Sequence, residues 1–309
     1  MAAPSRVSLR IPYTAISIVN APLWVAQEGG YLAEEGIDAA VEYVATSTTL
    51  TQAMLAGEVA VADSGQEALV AADLAGADLV AVAVGTDRFI FRLFGAGPVR
   101  TIPDLRGQRV GITRYGSTTD TVTRLLLKRN GLDPDRDVTL IQVGSTNDSL
   151  TAMLSGAVAA GMLSPPGMFR ADDQGLRLLV DTGDYHYPFI LQGIATSRSW
   201  LAKNEDLARR TLQALAEGLA FAHQHKERTK EIVGQYTKVD DPVLLEKTYT
   251  ALVPGFERTL YAPPEALRAD LEALAEEIPA ARDARPEQFL DTRLVEELDR
   301  GGFFQRLYQ

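Results

Sequence analysis

The chain has 309 residues, 46% of them hydrophobic and 23% charged, and no cysteine. Its formal net charge of -11 argues against a phosphate-binding groove, so nucleic acid is not expected as a partner; the missing thiols exclude disulfides, thiol catalysis, zinc–thiolate sites and iron–sulfur clusters. The length suggests two lobes, and the longest apolar runs fall short of the ~20 residues that span a bilayer.

The opening Met1-Ala2-Ala3-Pro4-Ser5-Arg6 carries no apolar run. A cytosolic chain and one whose secretion signal was removed both stay open. Val7 to Ile11 alternates as a strand does, and a loop leads to a helix over Ala21–Gln27 that ends near Gly29 and Gly30. Trp24 on that helix reads as core. Val41–Val44 is predicted as a strand leading to a hydroxyl-rich helix start, Ser47-Thr48-Thr49. Leu50-Thr51-Gln52-Ala53-Met54-Leu55-Ala56-Gly57 then reads as a helix stopped by glycine, followed by a buried strand that ends at Ser64. Leu79–Val84 and Phe89–Phe94 are apolar strands, with the first crossing between lobes expected at Asp87–Leu93.

The pattern then repeats. Gly107–Thr113 is a predicted strand, Thr121–Arg129 a helix ending near Gly131, and Leu140–Val143 a strand leading to Ser145-Thr146-Asn147. Leu150-Thr151-Ala152-Met153-Leu154-Ser155-Gly156 matches the earlier Leu50 block and runs into a strand ending at Ser164. Each half therefore carries β-α-β-α-β in the same order, which predicts an α/β fold of two lobes with mostly parallel sheets and right-handed crossovers. Phe189–Ala195 is the expected return crossing. Residues 1–90 with 193–309 form the first lobe, and 91–192 the second. The last third reads as helices over Asn204–His223, Pro242–Ala251 and Pro264–Glu277. Ala208, Thr211, Leu212, Leu215, Leu219 and Phe221 make a core-facing stripe that packs on the first lobe and behind the hinge.

Ligands in open parallel sheets sit beyond the carboxyl ends of strands, where free helix N–H groups attract anions or carbonyl oxygens. Strand ends in the first half offer Tyr13, Thr14 and Ser17, then Ser47 and Thr48, then Ser64, Gly65 and Gln66, then Thr86. The second half offers Tyr115, Gly116, Ser117, Thr118 and Thr119, then Ser145, Ser164, Thr182 and Tyr185. Each of these hydroxyls could instead be a helix cap. The aromatics Tyr13, Phe89, Tyr115, Tyr185, Tyr187 and Phe189 would suit a flat, partly apolar ligand. Arg88 and Arg114 could each pair with a carboxylate, sulfonate or phosphate. A small organic anion and a neutral heteroaromatic both remain open as ligand classes.

The ordered blocks resemble a known family. Ala21-Pro22-Leu23-Trp24-Val25-Ala26, Gly30-Tyr31-Leu32 and Glu34-Glu35-Gly36-Ile37, then Ala53-Met54-Leu55-Ala56-Gly57-Glu58-Val59, are similar to the nitrate/sulfonate/taurine and thiamine-pyrimidine-precursor periplasmic binding proteins. Asp104-Leu105-Arg106-Gly107-Gln108-Arg109-Val110-Gly111-Ile112 and Asn130-Gly131-Leu132-Asp133-Pro134 continue the likeness, which covers about residues 7–225. The resemblance implies a type II fold that closes on its ligand by hinge motion. It also implies a small-molecule ligand, an extracytoplasmic location, and an ABC permease with its ATPase as partners. Membrane association would come only through the permease or a removed lipid anchor. It places a Gly-Ser helix start at Gly116-Ser117 as a headgroup contact, and a further contact after Ser64.

Catalysis has little to stand on in the sequence. His223 and His225 stand two apart on a helix and point to different faces. His186 alone falls near an expected cleft, as a general base, a ligand donor or a plain loop residue. No phosphate-loop, nucleophile-elbow or zinc-protease pattern occurs. We expect no cofactor, no metal and no enzymatic activity. The alternative is a cytosolic enzyme of the same architecture, such as a chorismate-dehydratase-like enzyme of the menaquinone pathway.

Overall fold

A computed structural model describes residues 6–185, 188–261, 263–275 and 278–309. The first half runs β1 (Val7–Arg10), α1 (Ala21–Glu28), α2 (Tyr31–Glu34), β2 (Ile37–Ala40), α3 (Ser47–Leu55), β3 (Val61–Ser64), α4 (Glu67–Leu74) and β4 (Leu79–Arg88). The second runs β5 (Arg92–Gly95), β6 (Arg109–Ile112), α5 (Thr118–Arg129), β7 (Thr139–Gln142), α6 (Thr146–Leu154), β8 (Ala160–Leu163), α7 (Gly167–Asp173) and β9 (Arg177–Asp181). β10 (Pro188–Ser197) then returns to the first half.

Two sheets result. β1 pairs parallel with β2, and Tyr13 bridges to both Tyr43 and Asp63, which joins that pair to the sheet β3-β10-β4. The other sheet has the order β7-β6-β8-β5-β9. In each, one antiparallel strand is inserted between the third and fourth strands of the repeat: β10 between β3 and β4, β5 between β8 and β9. The repeat read from the sequence is thus a repeat of topology. Its matched helix stops are physical too, since Gly57 (φ 76) and Gly156 (φ 74) both take the left-handed conformation that ends α3 and α6.

Three expectations shift. The strand predicted at Val41–Val44 lies at Ile37–Ala40, because Ile37 is the residue that buries and pairs with Val7; beyond it only Tyr43 forms a bridge. Helix α3 is capped by Thr46, whose hydroxyl accepts from the Thr49 amide at 3.2 Å, so Ser47 is already inside the helix. β10 pairs with β4 from Pro188 onward, opposite Arg88, so the return strand lies in the first sheet before residue 193.

The C-terminal helices are α8 (Arg198–Lys203), α9 (Glu205–Gln224), α10 (Lys226–Thr237), α11 (Pro242–Leu252), α12 (Pro264–Leu274), α13 (Arg293–Arg300) and α14 (Phe303–Leu307). Ala208, Thr211, Leu212, Leu215 and Leu219 are buried and α9 lies against α1. Contact there is backbone to backbone. A Cβ at Gly218 would collide with the carbonyl of Pro22 and with the Ala26 amide. Phe221 stays half-buried, between Tyr31 and His225. Trp24 is fully buried and stacks on Tyr236 with centroids 4.6 Å apart. No helix among the described residues is long and apolar enough to cross a membrane.

Candidate functional site

The loops and helix starts that follow β1, β2, β6, β7 and β8 line one cleft between the halves. The first half contributes Thr14, Ala15, Ile16, Ser17, Val19, Tyr43 and Ala45 to Ser47. The second contributes Thr113, Ser117, Thr118, Thr119, Ser145, Thr146, Asn147 and Ser164. Ile90 and Phe91 from the first crossing, with Leu191 and Gln192 of β10, close the back. The cleft encloses about 620 Å³ of atom-free space, part of it open to solvent.

The floor loop is held by a buried amide network. Asn20 donates from Nδ2 to the carbonyls of Thr14 (2.9 Å) and Ala15 (2.7 Å), and Ala15 sits at φ 66, a left-handed conformation that alanine rarely takes. Gln192 donates from Nε2 to Oδ1 of Asn20 and also hydrogen-bonds Asp63. Burial pushes the Asp63 carboxyl up to about 7, and the Gln192 bond offsets part of that rise. Ser17 Oγ is buried at the cleft and has no hydrogen-bond partner among the described residues.

The opposite wall is a set of hydroxyls. Thr113, Ser117 and Thr119 form a triangle with edges of 2.8, 2.9 and 3.1 Å, and Thr119 Oγ1 also accepts from the Thr113 amide. Ser145 caps α6 by accepting from the Asp148 amide, while its own proton goes to the Asp148 carboxylate at 2.6 Å. Thr146 and Ser164 share a hydrogen bond at 3.0 Å. Across the cleft, Ser47 and Thr118 both donate to Oε1 of Glu67, at 2.8 and 2.6 Å.

Of the residues singled out in the sequence, the structure brings together Ser17, Ser47, Ser117, Thr118, Thr119 and Ser164, with Thr14 and Ser145. The others lie elsewhere, each for a visible reason. Tyr13 is core, edge-on to Trp24 at 5.5 Å. Thr48 and Arg114 sit on the rim, where Thr48 donates to the Tyr115 carbonyl and Arg114 to Thr49 Oγ1. Ser64 hydrogen-bonds the carbonyl of Gly65, and Gln66 is fully buried, donating to Ser64 and Gly193 carbonyls. Thr86 is buried within β4. Arg88 reaches the Gly255 carbonyl and lines a separate cavity by the hinge, as does Thr182. Tyr115 is exposed, with its hydroxyl on the Leu140 carbonyl, and Gly116 (φ 72) supplies the turn whose amide bonds Asp120. Phe89 and Phe189 stack on each other at 4.3 Å. The Tyr185 side chain, His186 and Tyr187 lie outside the described residues.

Sequence reasoning missed Tyr43, Asn147, Gln192 and the apolar back wall. Gln192 had a signal: it is a lone polar side chain inside the otherwise apolar stretch Phe189–Ala195, and a buried strand admits such a residue only with partners. Tyr43 was hidden by the misplaced strand end.

The family model described as NMT1/THI5 like matches residues 17–229. The chain belongs to the NMT1/THI5-like family. Within reach of this family stands a curated relative, the riboflavin-binding protein RibY of Chloroflexus aurantiacus, 28% identical over 221 residues. That match covers 70% of this chain and 62% of RibY, less than two thirds of the relative's length. A solved structure from Bordetella bronchiseptica RB50 superposes with a TM-score of 0.84 at 20% identity, covering 96% of this chain and 98% of that one. The alkanesulfonate-binding protein SsuA of Xanthomonas axonopodis pv. citri, solved with MOPS bound, gives 0.77 at 19% identity over 94% of this chain and 100% of its own. At such identities the structural likeness establishes fold alone. The two-lobed binding-protein fold expected of the NMT1/THI5-like chain is the one observed.

Proposed function

We propose that this chain is the solute-binding component of an ABC importer, working outside the cytoplasm and delivering a small guest to a permease and its ATPase. It captures that guest between its lobes and does not transform it. One observation carries the reading. The described lining residues are hydroxyls, amides and apolar groups, with Tyr43 the one side chain among them that titrates as an acid or base, and none that is charged. A site of this kind can hold and orient, but it offers no general acid or base near neutrality.

The same observation favours one of the ligand classes. Among the described lining residues there is no guanidinium or ammonium. The first turns of α5 and α6 already carry Asp120 and Asp148 against their positive ends. An anion would have to enter without a counter-charge. The guest is therefore an uncharged, flat molecule with both hydrogen-bond donors and acceptors, a pyrimidine-like or larger heteroaromatic compound. RibY, by its name a riboflavin binder, fits this class; SsuA, solved with a sulfonate, does not.

A thermal-shift screen followed by calorimetry tests both parts. Riboflavin and aminopyrimidines stand against taurine, MOPS and nitrate. A hundredfold excess over Kd stabilises by roughly 2.7 kcal/mol. Stabilisation by a neutral heterocycle alone is expected. Binding of only the anions would remove the ligand class, and turnover of any bound compound, seen by mass spectrometry, would remove the binding-protein reading.

A further inference from the structure

Glu67 stands at the first position of α4 and is 1% exposed. Its Oε1 accepts from Ser47 on its own lobe and from Thr118 on the other. Its Oε2 is buried with no partner among the described residues. Ser47 and Thr118 both line the cleft. One carboxyl therefore fixes two cleft hydroxyls that come from opposite sides of the gap. With their protons committed to Glu67, both hydroxyls keep only acceptor lone pairs for further bonding.

The approach of the lobes at this point depends on a missing side chain. A Cβ at Gly65 would stand 2.5 Å from Thr118 Oγ1 and 3.0 Å from both Glu67 oxygens. Gly65 does not take the positive φ that favours glycine, so its glycine answers to space. Gly65 and Glu67 bracket Gln66, whose amide pins this turn to β10 through the Gly193 carbonyl at 3.0 Å.

We infer that Glu67 is a positioning residue: it latches the two lobes together through Thr118 and thereby assembles the acceptor pair Ser47 and Thr118 before a guest is sealed in. The inference rests on the reading that the lobes close over a ligand. It adds a proton to that closure. In the closed form burial, offset by the bonds from Thr118 and Ser47, raises the carboxyl above its ordinary range. Opening would withdraw Thr118 and α5 and let water reach the group. Closed protein then binds more protons than open protein, so acid favours closure.

The charges around Glu67 act in the same direction. From α12, Asp270 is fully buried and is raised by burial and then by Glu67, with a backbone hydrogen bond at Ile190 offsetting part of that rise. From α5, Asp120 is bonded to Arg124 and to the Gly116 amide. From β4, Asp87 and Arg88 pair with each other at its far end, and α3 carries no charged residue. Among the described residues, burial and hydrogen bonds set the Glu67 carboxyl, with no cation among the causes.

Ligand-free protein provides the test, so its outcome is separate from the ligand screen. The chain has no cysteine, and the exposed Leu55 on α3 and Leu154 on α6 lie on opposite lobes. Leu55→Cys with Leu154→Cys takes a spin-label pair, whose distance distribution is read by double electron–electron resonance at pH 5 and pH 8. The short-distance population should fall as pH rises, by up to tenfold per pH unit in the closed-to-open ratio. Glu67→Gln keeps a carbonyl oxygen for both hydroxyls and should stay closed at both pH values. Thr118→Val and Gly65→Ala should open the protein at both, with thermal unfolding monitored to confirm that each folds. Wild-type distances in Thr118→Val and Gly65→Ala, or a Glu67→Gln variant that follows the wild-type pH response, would overturn the latch. So would a wild type that is open at pH 5.

Discussion

Gln192 gives a hydrogen bond from Nε2 to Oδ1 of Asn20 at 2.8 Å, and this contact ties the strand that returns from the second lobe to the loop beneath the cleft. Asn20 is fully buried, and its amide is what keeps Ala15 at φ 66. The left-handed conformation at a non-glycine residue persists only when its surroundings enforce it.

Asn20→Ala should therefore act twice. It removes one of the Gln192 amide's bonds, leaving the one to Asp63, and strips the carbonyls of Thr14 and Ala15 of their Asn20 donor, which destabilises the fold by roughly 1–3 kcal/mol. It also lets the floor loop relax, so affinity for whichever compound the screen identifies should drop about tenfold, equivalent to ~1.4 kcal/mol. Urea unfolding measures the first effect and calorimetric titration the second. Unchanged affinity in a folded Asn20→Ala protein would mean that the loop does not touch the guest.

Stability should fall as the solution is made more alkaline. The Asp63 carboxyl is held at about 7 against an ordinary 3.8, and burial raises Glu67 and Asp270 as well. A carboxyl raised in the folded state leaves that state holding protons the unfolded chain has released. Its stabilising share is complete below about pH 4 and is lost as pH climbs through about 7. For Asp63 alone the full loss is on the order of 4 kcal/mol. The urea midpoint should be higher at pH 5 than at pH 8, and Asp63→Asn should shrink the difference to the share that Glu67 and Asp270 keep. A midpoint that rises across that interval would contradict the assignment.

The duplicated architecture was legible because it is written locally. The blocks Leu50–Gly57 and Leu150–Gly156 carry the same helix stop, and both stops are glycines with positive φ. Hydroxyls at helix starts were legible for the same reason, which is why Ser117, Thr118, Thr119 and Ser164 reach the cleft. What failed was the inference from proximity in sequence to direction in space. Tyr13, one residue before the lining Thr14, points to the opposite face of its extended segment and into the core against Trp24. Glu67 went unremarked because its role needs Thr118, fifty-one positions later, and no local pattern contains that pairing.

Arg88 and Arg114 decide between the ligand classes most directly. Both carry the charge that an anionic guest would seek, yet neither lines the cleft: Arg88 holds the Gly255 carbonyl near the hinge, and Arg114 reaches Thr49 across the rim at 3.0 Å. Arg88→Ala should leave affinity for a cleft ligand within about twofold, since the contacts it removes, to Gly255 and Asp87, lie outside the cleft. Arg114→Ala removes one exposed hydrogen bond between lobes, worth about 0.5–1 kcal/mol, so a two- to fivefold loss is expected. The sharper measurement is salt. A neutral guest in an uncharged cleft should show the same Kd from 50 to 500 mM sodium chloride, because no ion pair is screened. A tenfold weakening over that range, abolished in Arg114→Ala, would place a negative group beside the arginine and return the anionic class to first place.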